Sequence, residues 1–281
     1  MKILLTNDDG VLAPGMAALA RAVSTWIDEC PPGEEREALV VAPDRNYSGM
    51  SSAVGDVFER PSVHYERHVI EGAINIAAYG VEAPPALCAI LGAIGSFGMQ
   101  PDLIISGINA GANVGRSVLH SGTVGAILSG AQLGLSGLAV SVQWGEDVHY
   151  DLAARLAIEV LDELFRAPSR TLLNLNVPNV TREHLRGVRR ARISTAEVVM
   201  AAGPDAGGDP LGDRGELPMI LGAASPSIGD VSDEDAGDDG ALVVAGYATL
   251  TPLVGPHENT DSALDTVIHT ALGVISKHLE G

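Results

Sequence analysis

Six short apolar runs, at residues 2–6, 38–42, 74–79, 102–106, 138–142 and 171–177, recur along the first two-thirds of the chain, and helical patterns fill most of the gaps between them. Runs of roughly four to eight apolar residues read as strands buried on both faces, and parallel neighbours need a crossover, usually a helix. The alternation therefore predicts an α/β fold with a doubly wound, mostly parallel, Rossmann-like sheet. A hydrophobic share of 46% with only 4% aromatic residues implies an Ala, Val, Leu and Ile core, which suits such a sheet. Pro14 fits the first turn of a helix whose core face is Leu19, Val23, Trp26 and Ile27. The uncharged stretch 83–99 is too short for a bilayer and holds Pro84, Pro85 and several glycines, so it reads as a buried helix.

The organisation divides into an α/β catalytic core over residues 1–195, an acidic Gly-rich flexible loop over 196–240, and a hairpin strand with a C-terminal helix over 241–281, packed on the core or on a partner subunit. Residues 201–240 carry ten Asp or Glu, one Arg, nine Gly and four Pro, or −9 of the net charge, a composition poor in surface to bury. Residues 241–254 turn apolar and β-branched, which predicts a strand or one arm of a hairpin. Thr260 is placed to cap a last helix over 261–279, striped with Leu264, Val267, Ile268, Ala271, Leu272, Ile275 and Leu279.

Three of the apolar runs end on residues able to do chemistry. The first stops at Asp8 and Asp9 and then Gly10. Neighbouring carboxylates repel unless one holds a proton or a cation lies between them, so the pair points to a hard divalent metal; the alternative is an Asp-Gly turn with both acids in solvent. The second run leads into Pro43-Asp-Arg-Asn-Tyr-Ser48-Gly49, and the third, Asp102 to Ser106, into Gly107-Ile-Asn109 and then Asn113. Parallel strands put their carboxyl ends on one edge, so Asp8, Asp9, Ser48 and Asn109 can meet in one crevice as an incomplete all-oxygen shell for one Mg²⁺ or Mn²⁺. Zinc-type His and Cys spacing is absent. Next come Ser121, Gly122 and Thr123 before a helical run, where free N–H groups and hydroxyls suit a phosphate; a plain helix cap is the alternative reading. Glycines 107, 111 and 115 do not form GxGxxG and no GK[ST] occurs, which argues against dinucleotide and P-loop sites.

A formal charge of −19 disfavours nucleic-acid polymers and anionic membranes as partners, while a small anionic substrate remains compatible if a cation mediates. Cys30 and Cys88 form no CxxC pair and the run after Lys2 is too short for a signal peptide, which together predict a cytoplasmic location. Arg186, Arg189, Arg190 and Arg192 form a dense basic cluster, read as a solvated strand face or as a second phosphate site.

The TNDDG start, the VAPDR-x-x-SG loop, PDLIISGIN-x-G-x-N-x-G followed by SGTV, LNLNVP at 173–178 and GYATLTPL at 246–253 together resemble the SurE family of metal-dependent 5′/3′-nucleotidases. The resemblance implies metal ligands at Asp8, Asp9, Ser48 and Asn109, phosphate contacts at Asn113, Ser121, Gly122 and Thr123, and a homodimer or homotetramer. Asn46, Gly49 and His120 are further candidates beside these motifs. The chain departs from the family pattern at Ser117-Val-Leu-His120, at Ser129 and at Pro84-Pro-Ala-Leu-Cys88.

The activity this implies is hydrolysis of nucleoside 5′- and 3′-monophosphates, with Asp8 or Asp9 positioning water and His120 a possible proton donor to the leaving oxygen. Two rivals are a phosphatase that forms an aspartyl-phosphate and a nucleotide-binding regulator with a silent site.

Overall fold

The computed structural model describes residues 1–57, 59–195, 199–202, 220–223, 237–256 and 268–269. The core elements run β1 (Lys2–Thr6), α1 (Pro14–Asp28), β2 (Glu37–Pro43), β3 (Tyr65–His68), β4 (Ala77–Val81), α2 (Pro85–Ala93), β5 (Leu103–Ala110), α3 (Gly122–Gln132), β6 (Ser136–Val142), α4 (Tyr150–Arg166) and β7 (Leu172–Val177). After these come β8 (Val188–Arg190), β9 (Val199–Ala202), β10 (Ile220–Ala223), α5 (Asp239–Val244) and β11 (Ala248–Leu253).

The main sheet has the order β3-β4-β2-β1-β5-β6-β7-β11-β8, and the six strands from β4 to β7 are all parallel. At one edge β3 runs antiparallel to β4; at the other β11 runs antiparallel to β7, and β8, parallel to β11, is the edge strand. Chain order reverses between β1 and β5, which is the topological switch point where open α/β sheets hold ligands at their carboxyl edge.

The two faces are covered separately. Met16, Leu19, Val23 and Trp26 of α1 and Leu152, Ala153, Leu161 and Leu164 of α4 pack with Ile3, Leu5, Ile105 and Val140. On the opposite face Cys88 and Ala89 of α2 and Val124, Ala126 and Ile127 of α3 pack with Leu4, Leu39, Val41 and Ile104. Small residues let this second pair come close to the sheet: a Cβ on Gly92 would lie 2.6 Å from Leu4 Cδ1.

Two expectations change. The third apolar run starts its strand at Ala77 rather than residue 74, because Asn75 turns to α1, accepting from Ser24 Oγ (2.7 Å) and donating to Asp28 Oδ1 (3.0 Å). Residues 241–244, read as strand, belong to helix α5, which turns the chain back at Gly246 (φ +88°) so that only 248–253 pair as strand. Most of the acidic 196–240 stretch lies outside the described residues, and its described parts include the antiparallel pair β9–β10. Of the expected 261–279 helix, Ile268 and His269 are described, both helical and exposed, and the rest with its Thr260 cap lies outside the described residues. Of the basic cluster, Arg189 and Arg190 lie on β8; the Arg186 and Arg189 guanidiniums lie 4.7 and 4.9 Å from the Tyr247 ring centre, and Arg192 pairs with Asp238.

Candidate metal and phosphate site

Asp8 and Asp9 follow β1 directly, at the switch point, in a turn that Asn7 closes by accepting from Gly10 N–H (3.2 Å) and donating to Gly10 O (2.9 Å). Asp8 is buried, 3% exposed. Its Oδ1 accepts from Thr123 Oγ1 at 2.7 Å, and the Gly122 and Thr123 N–H groups at the start of α3 also reach its carboxylate. Gly122 makes this approach possible, since a Cβ there would stand 2.7 Å from both Asp8 Cβ and Oδ2. The helix start that the sequence reading reserved for phosphate thus already holds a carboxylate, with its positive dipole end facing negative charge.

Both carboxyls are displaced upward. Burial raises Asp8 against the lowering pull of Thr123 and the α3 N–H groups. Burial and then the Asp8 charge push Asp9 up to about 6, opposed by the Ala110 N–H and Asn46. Two adjacent acids raised in this way form a site that gains from a cation.

Ser48 is exposed, on a loop tied to both acids: Tyr47 N–H donates to Asp8 O (2.7 Å), Asn46 Nδ2 donates to Asp9 Oδ1 (3.2 Å), and Ser48 N–H donates to Asn46 Oδ1 (2.8 Å). Asn46, a secondary candidate from sequence, therefore links Ser48 to Asp9. Gly49 has φ +83°, a value that suits glycine after Ser48. Asn109 arrives past a β-bulge that interrupts β5–β6 pairing between Ser106 and Asn109. Gly107 sits at φ +141°, and a Cβ there would be 2.3 Å from Val140 O. The Asn109 amide donates to Gly111 O at 2.7 Å, which orients its carbonyl oxygen the other way. Among the described residues no three His, Cys, Asp or Glu side chains converge as a metal set. The candidate donors are instead two carboxylates with a hydroxyl and an amide oxygen, chemistry that suits a hard cation with positions left for water and substrate.

The phosphate candidates lie next to this edge. Ser121 caps α3, its Oγ accepting from Val124 N–H (3.1 Å), which leaves the hydroxyl proton to donate elsewhere. Thr123 is fully buried and turned to Asp8, so it acts on the acid rather than standing free. Asn113 is buried in an amide network: its N–H donates to Asn176 Oδ1 (2.7 Å), its carbonyl accepts from Asn174 (2.9 Å) and Asn176 (3.1 Å), and its own amide donates to Ser141 Oγ (2.7 Å). The alternation in LNLNVP puts both β7 asparagines on one face and so holds the loop. His120 is exposed; its carbonyl accepts from Ser51 N–H (3.3 Å), while Ser51 Oγ donates to Leu119 O (2.7 Å). Sequence reasoning missed Tyr150, whose phenol is raised by burial and by the nearby Asp9 charge, and Asp239, which binds Gly115 N–H. Neither lies in an apolar run ending at the edge, so no local signal marks them.

The Survival protein SurE family model matches residues 3–199. A "5'-nucleotidase SurE" of Pseudomonas syringae pv. syringae is 38% identical over 259 residues, covering 90% of this chain and 92% of the relative. A "5'/3'-nucleotidase SurE" of Klebsiella pneumoniae is 36% identical, covering 100% of this chain and 97% of the relative. The crystal structure of the SurE protein from Aquifex aeolicus superposes with a TM-score of 0.67 at 26% identity, covering both chains fully. With the paired aspartates at the switch point, the asparagine-braced loop and this match over most of its length, the chain belongs to the SurE family.

Proposed function

We propose that this protein is a divalent-cation-dependent phosphomonoesterase that hydrolyses nucleoside 5′- and 3′-monophosphates to nucleoside and phosphate. The observation that carries the reading is the Asp8–Asp9 pair at the switch point, with both carboxyls raised and with Asp8 held at the start of α3. The nucleotidase names of relatives spanning nearly the whole chain support the substrate class.

Asp8, Asp9, Ser48 and Asn109 are the residues to hold one Mg²⁺ or Mn²⁺. A bound cation of this kind would supply charge neutralisation at phosphoryl oxygens and activation of water. Asp9, the less buried acid, orients the attacking water; Thr123 fixes Asp8. Ser121, Asn113 and the Gly122 N–H, which is shared with the Asp8 carboxylate, hold the remaining phosphoryl oxygens, where each donor aimed at developing charge is worth on the order of 2–4 kcal/mol. His120, exposed beside the cradle, is the candidate donor to the leaving oxygen. No described helix is long and apolar enough to cross a membrane. Free Cys30 and Cys88 support a reducing, cytoplasmic setting, and a homodimer or homotetramer is the assembly we propose.

The test is release of phosphate from nucleoside monophosphates and from an aryl phosphate, with Mg²⁺ or Mn²⁺ and with chelator. Turnover that chelator abolishes and Asp8→Asn lowers at least about 100-fold is the expected result. Unchanged turnover in Asp8→Asn overturns the assignment. A phosphoaspartate mimic trapped with beryllofluoride would favour the aspartyl-phosphate rival, and tight nucleotide binding without release the regulator.

A further inference from the structure

Asp239 opens α5, yet it is 0% exposed, and its carboxylate accepts from three main-chain N–H groups among the described residues. Its Oδ1 accepts from Gly240 (2.8 Å), Ser194 (3.0 Å) and Gly115 (3.1 Å), and its Oδ2 from Gly115 as well (3.2 Å). Burying a carboxylate is costly unless hydrogen bonds satisfy it, so these contacts make a specific junction rather than incidental packing. The junction joins three segments far apart in sequence: the loop after β5, the end of the β8 segment and the start of α5.

The loop is the one that matters for phosphate. Gly115 follows Asn113 by two residues and begins the short 3-10 helix Gly115–His120, which runs straight into Ser121, the cap of α3. One end of the loop is gripped by Asn174 and Asn176 through Asn113, and the other by the α3 cap. Between them, Gly115 at φ +57° turns its N–H to Asp239. α5 also passes close to the loop here, since a Cβ on Gly240 would lie 3.6 Å from Val114 Cγ2. Asp239 is itself locked: its N–H donates to Arg192 O (2.9 Å), Arg192 N–H donates to Gly237 O (2.9 Å), and the Arg192 guanidinium pairs with the adjacent Asp238.

We infer that Asp239 is a positioning residue for phosphate, setting the distance between Asn113 and Ser121 by holding Gly115 from a C-terminal segment 124 residues away. The inference rests on the assignment of Asn113, Ser121 and Gly122 to phosphate made above. It extends the substrate site beyond the strand ends to the turn that precedes β11.

The experiment uses the full chain with Asp239→Ala and Asp239→Asn. Inorganic phosphate binding is measured by calorimetry in the presence of Mn²⁺, with KM and kcat for a nucleoside monophosphate and with hydrogen exchange of the 113–121 segment. Removing the acceptor in Asp239→Ala should weaken phosphate binding and raise KM by about 10- to 100-fold, with faster exchange in 113–121 and unchanged exchange in β1. Asp239→Asn keeps one acceptor oxygen for the N–H groups but loses the second contact to Gly115 N–H, and should fall between parent and Asp239→Ala, with KM and phosphate Kd raised about 3- to 10-fold. Parent-like KM and phosphate affinity in either folded variant overturns the inference, and so does a fall in kcat alone that tracks the folded fraction. If Asp239→Ala does not fold, Asp239→Asn decides on the same readouts. A parent protein that binds phosphate without hydrolysing any monoester overturns the proposed function and leaves the Asp239 comparison to be read on binding. A parent that binds no phosphate overturns both.

Discussion

Asp9 is the residue whose chemistry is most open to measurement. Its carboxyl is pushed up to about 6 by burial and by the Asp8 charge, so protons compete with any cation near neutral pH. Cation affinity should therefore fall about tenfold per unit as pH drops below that value and level off above it. Mn²⁺ titrations across that range check this; an affinity flat with pH contradicts it, and Asp9→Asn should remove the inflection at the cost of affinity. The Asp-Asp-Gly sequence alone announces this pair, because adjacent carboxylates are electrostatically conspicuous. The hydrogen bonds that oppose the upward shift are not written locally: they come from α3 and from Ala110, both distant in the chain.

At the scale of elements, the site depends on how closely α3 meets the loops. Ser121 before an apolar helical run is a legible cap, and its bond to Val124 N–H agrees. The Thr123–Asp8 bond, across 115 residues, is not legible, since only the crossover after β5 decides which loop the helix start faces. Glycines mark the tight places. A Cβ on Gly125 would lie 2.1 Å from Ser51 O, a backbone atom of the loop that carries Ser48. Gly125→Ala should cost about 1–3 kcal/mol of stability, read by thermal or denaturant unfolding, and lower kcat/KM as that loop moves. A variant with parent stability and activity would mean that the loop yields without consequence. The 241–244 segment shows the converse limit: β-branched and apolar residues suggested a strand, yet their contacts in the fold make it a helix, α5.

For the whole molecule, ligand binding and folding are linked. A cation that binds only the folded chain adds about 2.7 kcal/mol at a hundredfold excess over its Kd. Saturating Mn²⁺ should thus raise Tm by several degrees in the parent and much less in Asp8→Asn, by calorimetry; equal shifts in both would place the cation elsewhere. The sequence by itself determined that this chain builds a parallel α/β sheet with acids, a hydroxyl and an amide at its strand ends, because apolar runs, their periodicity and their polar terminations are local properties. Only the tertiary structure decided the strand order that makes β1 and β5 neighbours, the capture of Asp8 by α3, and the reach of Asp239 to Gly115. Those depend on which segments meet in space, and long-range packing, not local pattern, selects them.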